Sequence, residues 1–171
     1  DRVTVHQAIK HLVVGGNALL FMGKEGIKHY PLNRYVVERD GNGNVIEIVT
    51  KELINKKLLP VDIIKDPLMV NDETTNHSND VEVYTHCKLD NNRWVWHQEV
   101  YDKRIPGTEG KAPKDASPWL VLRFNSVDGE NYGRGRVEEF IGDLKSLEAL
   151  SQAITEGSAA AAKVIFLVSP S

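Results

Sequence analysis

The chain has 171 residues, of which 41% are hydrophobic and 26% charged, a balance typical of folded domains and not of disordered or low-complexity chains. Its 24 acidic residues outnumber the 21 lysines and arginines, and the formal charge of -3 excludes an overall positive field that would drive tight, non-specific binding to duplex DNA. No run of apolar residues reaches the roughly 18 to 20 needed to span a bilayer, so we expect no membrane partner.

Helical spacing of apolar residues predicts a first helix that is capped by Thr4 and ended by Gly15-Gly16-Asn17; its stripe consists of Val5, Ala8, Ile9, Leu12 and Val13. Two short strands are predicted over 18–22 and 27–32. A hairpin is then expected, because Gly41-Asn42-Gly43-Asn44 separates two runs rich in β-branched residues, 35–40 and 45–50.

The next predicted elements are less regular. Mixed apolar residues over 51–66 indicate one or two short helices interrupted by Pro60, and the polar stretch 69–80 reads as an exposed loop. We also expect a loop over 106–118, followed by a strand over 119–125.

A second hairpin over 81–101 has a register that the sequence itself specifies. With Asn91-Asn92 at the turn, one face is apolar and the other polar, whereas a slip of one residue would mix the two faces. The predicted buried face carries Val81, Val83, Cys87 and Leu89 opposite Trp94, Trp96 and Val100. On the polar face, His86 lies opposite His97.

The C-terminal part is predicted to contain a turn over 128–135 and then one long amphipathic helix, about 136–162. Its first turn carries Glu138 and Glu139, and acidic residues at this end of a helix interact favourably with the helix dipole. A strand is expected around Ile165. Without internal repeats or a convincing linker, the prediction is one α+β unit over 1–171, built of antiparallel β-hairpins with flanking helices. Because it starts at Asp1 and stops just after an apolar run, we expect an internal piece of a longer polypeptide.

Neither a metal site nor a catalytic residue is predicted. His86 and His97 supply two ligands where a closed zinc site needs about four, and Cys87 points to the opposite sheet face. That apolar face also disfavours a reactive thiolate. Glu138 with Glu139, or Glu38 opposite Glu47, could be imagined as an acid and base pair, but exposed glutamates are the ordinary explanation. No cofactor is expected.

The sequence Gly133-Arg134-Gly135-Arg136, named here the Gly-Arg turn, allows two interpretations. Glycines and arginines before a helix could bind phosphate, although the spacing matches neither a P-loop nor a dinucleotide fingerprint. The alternative, which we favour, is a turn that needs glycine and leads into the helix, with Arg134 and Arg136 pairing to acidic residues of a neighbour.

Taken together, several segments resemble the portal, or head-to-tail connector, proteins of short-tailed bacteriophages. The resemblance covers nearly the whole chain and is weakest over 55–79 and 103–116. The segments that carry it include Gly15-Gly16-Asn17-Ala18-Leu19-Leu20, Tyr35-Val36-Val37-Glu38-Arg39-Asp40, Val83-Tyr84-Thr85-His86, Asp128-Gly129-Glu130-Asn131-Tyr132-Gly133-Arg134 and Val137-Glu138-Glu139-Phe140.

The resemblance implies a non-enzymatic virion protein: a subunit of a homo-oligomeric ring, normally a dodecamer, at one capsid vertex. Double-stranded DNA would pass through its channel without sequence-specific binding. It further implies contacts with the capsid protein, the packaging terminase and tail adaptor proteins, after assembly in the host cytoplasm. The β-rich content then suggests mostly the wing of a portal subunit, with the long helix running toward the central body.

In such a ring, Arg134 and Arg136 are candidate contacts between subunits, because each subunit presents different patches to its two neighbours. Two other functions stay open at this point. One is a module that uses the Gly-Arg turn to bind phosphate or nucleic acid, and the other is an uncharacterised enzyme.

Overall fold

Short antiparallel strands make up most of the computed structural model, which describes residues 1–60, 63 and 80–163. In this described part, the helices are α1 (Arg2–Gly15), α2 (Arg136–Glu139) and α3 (Ile141–Ala161), and the strands are β1 (Asn17–Gly23), β2 (Gly26–Tyr30), β3 (Tyr35–Arg39), β4 (Val45–Asn55), β5 (Asp80–Asp90), β6 (Arg93–Val100), β7 (Lys103–Arg104), β8 (Gly110–Pro113) and β9 (Trp119–Arg123).

The strands form two sheets in which neighbouring strands run antiparallel. A three-stranded sheet has the order β2-β1-β9, and a larger sheet has the order β3-β4-β5-β6-β7, with β8 also pairing to β6. Sheets of this kind, with helices at either end of the chain, confirm the predicted α+β class.

The second hairpin has the predicted register. Cys87 pairs with Trp96 and His86 with His97 across β5 and β6, and Asn91 and Asn92 form the turn with φ of 44° and 65°. Both dihedrals lie in the left-handed region that a tight hairpin turn requires, and asparagine tolerates that region better than most residues. Five residues of the apolar face are buried as expected, whereas Leu89 and Trp96 are only half-buried.

One hydrophobic cluster joins the two sheets. It draws Leu19, Tyr30 and Trp119 from the smaller sheet, and the larger sheet contributes Tyr35, Val37, Ile48, Cys87 and Trp94. The rings of Trp119 and Phe21 lie 4.5 Å apart at a tilted angle, a favoured arrangement for aromatic pairs. Burial of these side chains holds the sheets together.

The structure corrects the N-terminal predictions at two places. Helix α1 begins at Arg2 with Asp1 as its N-cap, so the proposed cap at Thr4 is wrong. The segment 51–55 is the end of β4 and not a helix, because β5 pairs along it as far as Asn55 opposite Asp80. Only a single 3₁₀ turn follows, at Lys56–Leu58. Residues 61–66 of the predicted helical segment, apart from the helical residue Ile63, lie outside the described residues, as does 69–79 of the predicted loop. The last residue of that loop, Asp80, begins β5.

Two predictions near the C-terminus also change. The expected loop over 106–118 contains strand β8, which pairs with the edge of β6. The long helix is interrupted at Phe140, whose φ of -110° and ψ of 18° separate α2 from α3. The predicted strand around Ile165 lies outside the described residues.

We expect Trp94→Ala to lower the free energy of unfolding by about 3 to 5 kcal/mol, because it removes a large aromatic side chain from the shared core. Trp94 is 6% exposed, and its indole nitrogen donates to Lys114 O at 3.2 Å. Urea unfolding monitored by circular dichroism measures the change. Lys88→Ala, on the exposed face of β5, is the control and should change stability by less than about 0.5 kcal/mol. Similar losses for both variants would contradict the assigned faces.

Candidate subunit interface

The Gly-Arg turn packs directly against the end of α1. The Asn17 side chain joins them, since Nδ2 donates to Gly133 O at 2.7 Å and Oδ1 accepts from Gly133 N at 2.7 Å. The same Nδ2 also donates to Gly15 O at 3.0 Å. Asn17 is 4% exposed, so water does not compete effectively for these bonds.

Glycine is required on both sides of this junction. Gly16 caps α1 in the left-handed conformation, with φ of 76°, and a Cβ there would lie less than 3.0 Å from the backbone of the Gly-Arg turn. A Cβ at Gly135 would equally collide with Val14 O and Gly16 N. The favoured interpretation, a turn that needs glycine and leads into a helix, agrees with this geometry. The additional cause is close backbone approach, which the sequence did not reveal.

Two backbone amides of the turn donate to groups inside the chain. Gly133 N donates to Asn17 Oδ1, and Arg134 N donates to Asn125 O at 2.8 Å. A phosphate cradle needs free amides that point at the anion. These two amides do not provide one.

Arg134 and Arg136 both lie at the surface and both meet carboxylates of their own chain. Arg134 Nη2 is 2.8 Å from Glu130 Oε1 and its Nε is 3.9 Å from Glu138 Oε1, and hydrogen bonding to Glu130 raises the Arg134 pKa. Arg136 Nη1 is 3.3 Å from Glu139 Oε2. Its guanidinium also lies over the Phe124 and Phe140 rings. A role for the two arginines at an interface or on phosphate stays a prediction.

Helix α3 presents an apolar stripe that no described residue covers. None of its residues is buried, and its exposed large apolar side chains are Ile141, Leu144, Leu147, Leu150 and Ile154. Large contiguous apolar surfaces of this kind mark contacts with other protein segments. Among the described residues, no helix combines the length and apolar character needed to cross a membrane.

The cysteine and histidines considered as reactive or metal-binding residues have other surroundings in the structure. Cys87 is fully buried, and burial raises its pKa to about 12, so the thiolate is disfavoured. His86 Nε2 lies 2.5 Å from Glu47 Oε1, and His97 Nε2 lies 2.6 Å from Glu99 Oε1. Within the described ranges, no group of three or more histidine, cysteine or acidic side chains is arranged to hold a metal ion.

The glutamates considered as an acid and base pair are ordinary surface residues. Glu38 is exposed on β3 and pairs in register with Glu47 on β4, where Glu47 is engaged by His86. Glu138 and Glu139 lie in α2, with their carboxylates near Arg134 and Arg136 respectively.

Sequence reasoning missed a second pair of arginines. Arg39 and Arg123 line a cleft of about 380 Å³ between the β3–β4 turn and the loop 126–131. These arginines are far apart in sequence, and each stands in an ordinary strand pattern. Only the register of the strands and the fold of the loop bring them together.

Comparison with known proteins identifies the family. Residues 2–171 match the family model described as bacteriophage head to tail connecting protein. The chain belongs to this family. It is 42% identical to the portal protein of Enterobacteria phage T3 and 41% identical to that of Escherichia phage T7, over 99% of this chain in both cases. The portal protein of Pseudomonas phage phiKMV is 35% identical over 85% of the chain.

The resemblance inferred from sequence is therefore confirmed. The connector chain spans 33% of the length of the T3 and T7 relatives, so the activities of those whole proteins concern much more polypeptide than this. The Gly-Arg turn, the glycines that end α1 and the exposed α3 all lie within the matched range.

We expect Gly135→Ala to destabilise this connector chain by at least about 2 kcal/mol, because the added Cβ meets backbone atoms that cannot move independently. Gly157→Ala is the matched control: it lies in α3 with open space around it, and should stabilise by about 0.5 to 1 kcal/mol through helix propensity. Urea unfolding of both variants measures the difference. A neutral Gly135→Ala would show that the junction is looser than described.

Proposed function

We propose that this chain is part of a portal subunit, one of the identical copies that form a ring at a single capsid vertex. The observation that carries the proposal is the connector-family match over residues 2–171, together with 42% identity to a portal protein. The ring forms the channel through which double-stranded DNA is packaged and ejected, and it is where the tail attaches.

The described residues supply the wing of that subunit, with α2 and α3 running toward the central body. Two antiparallel sheets around one core suit a peripheral domain, and α3 extends from them without a buried residue. Its apolar stripe is available for packing inside the complete assembly. The proposed neighbours are the capsid protein, the packaging terminase and the tail adaptor proteins, and the ring assembles in the host cytoplasm before it becomes part of the virion.

The proposed role is structural and not enzymatic. DNA has to slide through a portal, and a wall that bound phosphates tightly would oppose this movement. The formal charge of -3 on the chain supports the passage of DNA without tight binding to its phosphates. Cys87 lies in the apolar core, and His86 and His97 each contact a glutamate, so we assign no reaction to them.

The full-length chain should purify as a closed ring, and we expect a dodecamer. Native mass spectrometry measures the subunit number, and negative-stain electron microscopy shows whether the ring is closed. Electron micrographs of virions labelled through a tag on the protein should place it at one vertex only. A chain that stays monomeric at all concentrations, or label distributed over the whole capsid, would overturn the proposal.

Arg134 and Arg136 remain proposed contacts between subunits, with phosphate contact as the alternative. Arg134→Gln and Arg136→Gln in the full-length chain should lower the fraction of rings and leave the circular dichroism spectrum unchanged. The expected decrease is small, because Glu130 and Glu139 already neutralise these side chains. Intact rings with weaker binding of DNA would support the phosphate alternative, and unchanged rings with unchanged DNA binding would exclude both roles.

A further inference from the structure

The cleft between the β3–β4 turn and the loop 126–131 brings two guanidinium groups to one point, Gly43. Arg39 Nη1 donates to Gly43 O at 2.8 Å. Arg123 Nη2 approaches the same residue so closely that a Cβ on Gly43 would lie 3.0 Å from it. Two positive charges therefore converge on one wall of a cleft of about 380 Å³.

No described carboxylate pairs with either guanidinium. Both donate to backbone carbonyls instead: Arg39 Nε to Asn131 O at 3.0 Å and Arg123 Nη1 to Glu130 O at 2.9 Å. The ion pairs among the described residues involve neither side chain. Burial and the nearby charge of Arg123 also lower the Arg39 pKa, the direction expected for neighbouring positive charges without a counter-ion.

One donor of this pair has no partner among the described residues. Arg39 Nη2 is shielded from solvent and makes no hydrogen bond within the described chain. Buried donors are almost always satisfied in folded proteins, by ordered water or by another group, so Arg39 has donor capacity that the described chain does not use.

The acidic residues that also line the cleft form no described ion pair with Arg39 or Arg123, although their negative charge stays at its rim. Asp40 accepts hydrogen bonds from Asn42 N and from both the backbone and side-chain nitrogens of Asn44, at 2.7 to 2.9 Å. Glu130 is paired with Arg134. Only Asp128 among the lining acids lacks such a described contact, and it is exposed.

We propose that Arg39 and Arg123 form a carboxylate-binding cleft that receives an aspartate or glutamate side chain from the neighbouring subunit of the ring. This proposal rests on the ring assembly proposed above. In a ring, one patch of each subunit meets a different patch of the next, so two guanidinium groups without an ion pair on one face can receive a carboxylate from the other. Guanidinium groups bind carboxylates through strong, directional hydrogen bonds.

The surroundings favour a protein carboxylate over nucleic acid. Asp40, Asp128 and Glu130 surround the cleft, and their negative charge opposes the close approach of a polyanion. A single side chain on a protein segment meets less repulsion. The described surface carries exposed carboxylates that could bind in such a cleft. Helix α3 presents Asp143, Glu148 and Glu156, and its one lysine is Lys145.

The first test compares ring assembly of full-length Arg123→Gln with that of wild type by mass photometry over a series of protein concentrations. Arg123 is preferred to Arg39, which anchors two backbone carbonyls and the loop itself. We expect the concentration of half-assembly to rise at least about tenfold, because the neighbour's carboxylate would be left unpaired. Arg34→Gln, at an exposed arginine in the 3₁₀ turn Leu32–Arg34, is the control and should assemble like wild type.

The second measurement does not depend on how Arg123→Gln folds, because it keeps both arginines. A photo-crosslinking amino acid, p-benzoylphenylalanine, replaces the exposed Ser126 at the cleft in the full-length chain. Irradiated rings should give a covalent bond between two subunits, joined to a peptide that contains an aspartate or glutamate. Crosslinks within one subunit only, or to DNA, would overturn the proposal.

The outcomes separate this proposal from the function on which it rests. Wild-type rings that form normally, with no effect of Arg123→Gln and no crosslink between subunits, would overturn the carboxylate cleft alone. A wild-type chain that forms no ring would overturn both proposals.

Discussion

The hydrogen bonds between the Asn17 amide and the backbone of Gly133 are the contact on which the remaining arrangement depends. They tie the end of α1 and the start of β1 to the turn that precedes α2. The chain beyond β9 reinforces this link, since Phe124 N donates to Gly16 O at 2.9 Å and Arg134 N donates to Asn125 O at 2.8 Å. The end of α1 and the turn before α2 therefore meet at one buried polar group. Such a group is costly to bury unless it is fully bonded, and this one is.

This junction also limits how the chain enters α2, the short helix that precedes α3. Since the backbones touch at Gly16 and Gly135, the direction in which the chain leaves the turn is limited by atoms that have no side-chain freedom. Helix α3 then extends for 21 residues, roughly 30 Å at 1.5 Å per residue, without covering the sheets. A small rotation at the turn would become a large displacement at the far end. Close glycine packing is suited to a subunit whose helix has to meet other protein segments at a fixed place.

Sequence patterns predicted the elements whose cause is local. The register of β5 and β6 follows from alternation around Asn91-Asn92, and the pairs His86 with His97 and Cys87 with Trp96 were predicted correctly. The helix prediction for 51–55 was wrong because this segment is extended. Its conformation comes from pairing with β5, which is more than twenty residues away in sequence. Strand β8 was missed since Gly-Lys-Ala-Pro has no alternating pattern; it is a strand because it lies along β6, where Gly110 leaves space for the Trp96 ring. Pairing between strands that are far apart in sequence cannot be predicted from a short stretch of adjacent residues.

The two pairs of arginines show the same limit for the interface. Arg134 and Arg136 stand out in the sequence because glycines flank them, yet each is neutralised by a glutamate only three or four residues away. Arg39 and Arg123 stand in unremarked strand positions, and their charges meet backbone carbonyls, which supply dipoles and no negative charge. An arginine that forms an ion pair within its own subunit gains little additional binding energy from a carboxylate of a neighbour. A guanidinium without an ion pair has more to gain from a neighbour's carboxylate, so the proposed contact follows from the folded structure and not from the density of arginines in the sequence.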